Sequence, residues 1–378
     1  QKEAISFALQ SNDRPFALIH GPPGTGKTTT VVELIQQAVH YHQLKVLVAA
    51  PSNVAIDNVL ERLVVPPPSK GSSKQHHKIK AVRLGHPARL KPSILPYSLE
   101  AMVQNADGTE IVADVRNELQ AYLKLLANPK SKGSDKRIAY RELKSLRQEI
   151  RQREEKVVQD LMKSAQVILA TTVGAANRIL NHVESFDLVV IDEAAQALEA
   201  SCWIPILKGK RVVLAGDHCQ LPPTIKSHKA QAAGLGRTMF ERLMELYGDD
   251  KTPNQPQISR MLSVQYRMHE QIANWASQAM YHGKLQTHES VQKRTLSQLE
   301  GFHVSDMEDD DTMSETPLLL IDTAGCDMHE IVNAAGSRYN PGEATVVAQH
   351  VQRLMGAGMT PSQMCVITPY NGQVEWLR

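Results

Sequence analysis

"LIHGPPGTGKTTTVVEL" (Leu18–Leu34) is the stretch that decides the fold of this chain. Inside it, Gly21 to Thr28 runs G-P-P-G-T-G-K-T, which fits the phosphate-loop spacing G-x-x-x-x-G-K-[ST] without a gap. The preceding "FALIH" (Phe16–His20) is the short apolar run of a buried strand, and "TTVVELIQQAV" (Thr29–Val39) has its apolar residues at helical spacing. Strand, loop and helix thus come in the order the motif requires. Gly24 and Gly26 lack a Cβ, so the backbone can curl around anionic oxygens and turn its N–H groups inward. The helix opening at Lys27 adds the positive end of its dipole. Lys27 is expected to reach the β- and γ-phosphates, and Thr28 to ligate Mg²⁺. The expected nucleotide-binding set is Gly21, Pro22, Pro23, Gly24, Thr25, Gly26, Lys27, Thr28 and Thr29. From the loop alone the cofactor is ATP or GTP. What its hydrolysis drives is a separate question, because such loops serve motors, switches, kinases and transporters alike.

The whole chain narrows the field. Its 378 residues suffice for two or three domains with cores of their own. A hydrophobic content of 42% with 22% charged residues is that of a globular protein. No apolar run approaches the roughly 18 residues of a membrane span, so no membrane partner is expected. No signal-peptide pattern stands at the N-terminus. Cys202, Cys219, Cys326 and Cys365 are scattered without a C-x-x-C pair, which points to neither zinc nor a disulfide framework. The expected location is therefore intracellular, in cytoplasm or nucleus. The net charge of +2 hides an uneven distribution. Lys70, Lys74, Lys78, Lys80, Arg83, Arg89 and Lys91 form a basic stretch without an acidic residue, a pointer to an anionic polymer. If it extends a nucleic-acid channel, reversing Arg83 and Arg89 to glutamate weakens binding. "SDMEDDDTMSE" (Ser305–Glu315) reads as a solvated acidic loop.

Further near-continuous apolar, β-branched runs occur at residues 45–50, 166–171, 187–192 and 211–216. With "FALIH" they make five parallel strands covered on both faces, an α/β doubly wound unit. Residues 317–322 and 364–369 read as strands of a second, unfinished α/β domain, flanking a helix over 341–355. Between the second and third strands of the first set lies an insertion. It opens with low-complexity sequence (66–78) and continues as a helical hairpin over 110–127 and 135–163, the second helix carrying Leu143, Leu146, Ile150, Val157 and Leu161 on one stripe.

Three motifs address the purpose of hydrolysis. "DLVVIDEAAQ" (Asp187–Gln196) sets Asp192 and Glu193 at the carboxyl end of a buried strand, where one carboxylate can hold Mg²⁺ while its neighbour polarises the attacking water. In "GDHCQLPP" (Gly216–Pro223), the neutral Gln220 can donate and accept, as a γ-phosphate sensor must. "QYRMH" (Gln265–His269) lies beyond a linker at 247–257.

Taken with "APSNVAIDN" (Ala50–Asn58) and "TPYNGQ" (Thr368–Gln373), these motifs make the chain resemble, over nearly its whole length, a superfamily 1 helicase of the up-frameshift-like branch. The resemblance implies a P-loop NTPase with two RecA-like domains: 1–65 plus 164–250 as the first, 66–163 inserted in it, and 251–378 as an incomplete second. It makes Gln1 an adenine-reading amide, selecting ATP, with Tyr266 stacking on the base and Arg267 reaching the γ-phosphate. It assigns Ser52, Asn53, Thr171, Thr172, Thr368, Tyr370 and Gln373 to the backbone of single-stranded RNA or DNA. Cleft closure on ATP would then step a monomer along the strand, 5′-to-3′ in this branch. The branch's last two motifs, one with a further arginine, are not found, so a fragment with weak turnover is expected. Two other classes stay open: a nucleotide switch or scaffold, and a nucleic-acid-binding module with a vestigial ATPase.

Overall fold

A computed structural model describes residues 1–10, 15–64, 79–85, 90–106, 120–126, 133–248, 257–303 and 312–378. Lys70, Lys74, Lys78 and Arg89, the acidic run through residue 311, the linker 249–256 and most of the first insertion helix lie outside the described residues. The chain divides into two compact units, Gln1–Ser263 and Val264–Arg378.

The first unit is built on seven strands: β1 (Phe16–His20), β2 (Val46–Ala50), β3 (Ala81–Arg83), β4 (Val167–Thr171), β5 (Leu188–Ile191), β6 (Val212–Gly216) and β7 (Ser259–Met261). They form one sheet in the order β3-β4-β2-β5-β6-β1-β7, every pair parallel. Alternation along each strand sends successive side chains to opposite faces. Ala17 and Ile19, Val46 and Val48, Leu188 and Val190 enter one core, while Leu18, Leu47, Val189 and Ile191 enter the other. The first core is closed by α1 (Lys2–Gln10), α2 (Lys27–His40) and α3 (Asn53–Val64). The second is closed by α4 (Leu99–Ala106), the end of α5 (Gly133–Ser164), α6 (Glu199–Ile206) and α7 (Met239–Tyr247). With both faces covered, the strands are near-continuous in apolar residues, as the sequence pattern demands.

Two strands escape the apolar pattern, and they shift the expected boundaries. β7 pairs with β1 and is pinned by Arg260, whose guanidinium carbon lies 4.2 Å from the centre of the Phe7 ring. The first unit therefore runs to Ser263 rather than ending at 250. β3 pairs with β4, so residues 81–83 belong to the sheet although they fall within the expected insertion 66–163. α5 forms as one helix of 32 residues, buries Ala139, Leu143, Leu146 and Met162, and packs against α4.

Arg83 corrects the reading of the basic stretch. Its side chain is fully buried, with Nε donating to Asp57 Oδ1 at 2.9 Å and Nη2 to Asn53 Oδ1 at 2.9 Å, while Nη1 donates to Leu84 O. It ties the edge strand to α3 and presents no charge to a polymer.

In the second unit, α8 (Glu270–Tyr281), α9 (Pro341–Gly356) and α10 (Asn371–Leu377) form, with short ladders between 264–265 and 286–287 and between 331–332 and 338–339. The expected strands at 317–322 and 364–369 do not. Ile321, Val366 and Ile367 line one cavity of about 640 Å³ against α9, but the two runs share no backbone ladder, and Leu320 and Ile367 stand 87% and 88% exposed. Apolar composition proposes a strand; only a hydrogen-bonded neighbour makes one. No helix among the described residues is long and apolar enough to cross a membrane.

Candidate active site

The sheet register brings the motif loops to one edge. Gly21 N donates to Gly216 O at 3.0 Å, joining the ends of β1 and β6, and Asp192 N donates to Ala49 O at 2.9 Å, joining β5 and β2. Ligand loops at the carboxyl ends of parallel strands are the general rule for such sheets.

The phosphate loop is held from within. Thr25 is fully buried and its hydroxyl donates to Pro22 O at 2.7 Å, while Thr30 Oγ1 donates to Gly26 O at 3.0 Å. Gly24 and Gly26 have φ of 77° and 80°, left-handed values that glycine adopts without penalty. α2 starts directly after Gly26, so the first-turn amides of Lys27, Thr28 and Thr29 have no intrahelical acceptor and are available to an anion. Gln1 lies against the loop, where its Nε2 donates to Thr25 O at 2.7 Å. A Cβ on Gly26 would stand 2.5 Å from that nitrogen. Gly26→Ala therefore combines about 1–2 kcal/mol of left-handed strain with displacement of Gln1. We expect roughly a tenfold loss of ATP affinity, read by titration with a fluorescent analogue; unchanged affinity would contradict the geometry.

Lys27, Asp192 and Glu193 converge. Lys27 Nζ donates to Glu193 Oε2 at 2.7 Å, and Glu193 N donates to Asp192 Oδ1 at 2.9 Å. Glu193 sits at φ 52°, a strained backbone for a non-glycine residue and of the kind stored at functional sites. Asp192 is buried, and burial pushes its carboxyl up to about 6, with Lys27 opposing and the Glu193 charge adding. Asp192 and the Thr28 hydroxyl are hard oxygen donors of the kind Mg²⁺ takes, so the residues fit that ion.

Gln220 is also positioned. Its Nε2 donates to Asp217 Oδ2 at 2.6 Å, and Asp217 Oδ1 shares a 3.0 Å hydrogen bond with His20 Nε2. Sequence reading missed Asp217 and His20, which hold Gln220, and Arg62, whose Nη1 donates to Thr29 Oγ1 at 3.3 Å. The signal was present in "GDHCQ", but the His20–Asp217 pair spans 197 positions and exists only through the β1–β6 register.

The proposed strand contacts in the first unit lie at the ends of β2 and β4, which are neighbours. Exposed Ser52 accepts from Ala55 N at 3.2 Å, and Asn53 is engaged by Arg83. The threonine pair divides: Thr172 is 2% exposed and packs, while half-buried Thr171 accepts from Gly174 N at 3.0 Å. In the second unit, Thr368, Tyr370 and Gln373 line one cavity of about 310 Å³. Gln373 is not free there, since Oε1 accepts from Asn340 N at 2.6 Å and Nε2 donates to Asn340 O at 3.3 Å. Tyr266 is 49% exposed, with its ring centre 4.4 Å from that of His288. The turn carrying Tyr266 and Arg267 is organised by buried Gln265, whose Oε1 accepts from Arg267 N and Met268 N, both at 2.8 Å. That glutamine is a scaffold residue the motif did not distinguish.

A phosphate loop, an acidic pair on a strand end and a positioned glutamine on one parallel sheet define a P-loop nucleotide-binding fold. The chain belongs to the AAA domain family: one family model described as "AAA domain" matches residues 1–228 and a second, with the same description, residues 235–378. It is similar to the DNA-binding protein SMUBP-2 of Rattus norvegicus, 48% identical over the whole chain and 36% of that protein. It also resembles the DNA polymerase alpha-associated DNA helicase A of Schizosaccharomyces pombe, at 37% over the whole chain and 53% of that protein. The regulator of nonsense transcripts 1 homolog of Drosophila melanogaster is 33% identical over the whole chain and 28% of that protein. The chain thus spans between about a quarter and about half the length of these relatives.

Proposed function

We propose that the protein is an ATP-driven helicase or translocase acting on single-stranded RNA or DNA. The observation that carries this reading is the convergence of Lys27, Asp192 and Glu193 beside a glutamine held by Asp217 and His20. Lys27 binds the phosphates, Glu193 orients and deprotonates the attacking water, and Gln220 exchanges its contact with Asp217 when the γ-phosphate leaves. Asp192 and Thr28 would hold Mg²⁺, which would supply positive charge to offset that of the phosphates. Strand contact falls to the small polar side chains Ser52, Asn53 and Thr171 in the first unit and to Thr368 and the aromatic Tyr370 in the second, which suits grip without sequence readout. The names of the relatives support a nucleic-acid role. For polarity, the family resemblance implies 5′-to-3′.

The test is unwinding of a duplex carrying a single-stranded overhang. ATP-dependent strand separation from a 5′ overhang, abolished by Lys27→Ala, is the expected result. Separation that proceeds equally without ATP, or in Lys27→Ala, would refute the assignment.

A further inference from the structure

The β1–β6 register does more than position Gln220. It places His20, the last residue of β1, opposite Gly216, and so beside the three consecutive donors Asp217, His218 and Cys219. One ligand atom from each of these four side chains lies within 4.8 Å of all the others. Two imidazoles, a thiol and a carboxylate are the donor set of a tetrahedral zinc-class ion, and the thiol and imidazoles discriminate against Mg²⁺ and Ca²⁺. Bonds of about 2.0–2.3 Å put tetrahedral ligands roughly 3.3–3.8 Å apart, so the cluster needs to contract by about an ångström. His218 and Cys219 lie on a loop outside the strands and can supply that movement by side-chain rotation. The cluster has a closed and an open side. His20 and Asp217 are buried, and the His20 and His218 ring centres lie 6.3 and 6.2 Å from that of Phe240. His218 itself is exposed and leaves an entry path.

We propose that His20, Asp217, His218 and Cys219 form a binding site for a zinc-class divalent cation, separate from the Mg²⁺ position. Filling it draws one Asp217 oxygen and His20 to the ion and so shifts Oδ2, the acceptor that holds Gln220. Occupancy is therefore inhibitory. This consequence rests on the ATPase reading; the binding site does not.

Co²⁺ titration of the intact protein separates the two. The expected result is a thiolate-to-Co²⁺ charge-transfer band saturating at one ion per chain. Cys219→Ser loses that band, and His218→Ala, a change at an exposed position, weakens binding and alters the visible d–d spectrum. No band in the wild type, or an undiminished band in Cys219→Ser, overturns the site. In a second arm, Zn²⁺ at the concentration that displaces Co²⁺ is expected to suppress ATP turnover in the wild type and to spare His218→Ala/Cys219→Ser. Equal suppression in both overturns the inhibitory role. A wild type with no turnover at all would fail the ATPase reading while the spectroscopic site stands.

Discussion

Glu193→Gln is expected to keep ATP binding and to lower turnover by about 10²–10⁴-fold, the share a positioned general base contributes. Glutamine has the shape of glutamate and can still accept from Lys27 Nζ, which lies 2.7 Å from Glu193 Oε2. The left-handed backbone at this position, φ 52°, is equally strained in both proteins, so the comparison isolates the charge. What the amide cannot do is take a proton from water. The measurement is steady-state hydrolysis alongside equilibrium nucleotide binding. Retained binding with lost turnover assigns Glu193 to the chemical step. Wild-type-like hydrolysis in the variant refutes that role and returns the residue to the task of parking Lys27.

Arg83→Ala is expected to destabilise the first unit by about 3–5 kcal/mol, the cost of removing one partner from a buried ion pair. Asp57 is 4% exposed and would lose the guanidinium that neutralises it, and Asn53 Oδ1 would lose its donor. The three side chains join β3 to the first turn of α3. Loss of the clamp therefore also loosens Asn53, a proposed strand contact. Denaturant unfolding of wild type and variant gives the magnitude, and Asp57→Ala should match it, since either deletion orphans a buried charge. A change below about 1 kcal/mol, of the size of an exposed pair, would contradict the burial described here.

The same arginine shows where sequence reading stopped. Counted among seven basic residues it looked like part of an electrostatic surface, because charge composition carries no information about burial. The five inner strands were legible, since strands covered on both faces must be apolar throughout. β3 and β7 were not: "AVR" and "SRM" are three-residue edge strands, one carrying the buried Arg83 and the other the stacked Arg260. Short, charged edge strands are how sheets avoid unwanted pairing, and they leave no periodic signal. Within the site, Lys27, Thr28, Asp192, Glu193 and Gln220 could be read because each follows an apolar run in its own motif. Contacts between separate segments, Gln1 on Thr25, His20 on Asp217 and Arg62 on Thr29, carry no signal in either segment alone and exist only in the folded sheet. In the second unit, the apolar runs at 317–322 and 364–369 misled for the opposite reason: composition was right for a strand, and no ladder formed.

Hydrolysis coupled to a polynucleotide is the claim on which the functional reading stands. ATP turnover by the protein, measured with and without a saturating single-stranded oligonucleotide of RNA and of DNA, addresses it most directly. A motor shows a large rise in rate with at least one of the two strands, and Glu193→Gln shows none. Identical rates with and without either strand would leave a nucleotide-binding switch in place of a motor.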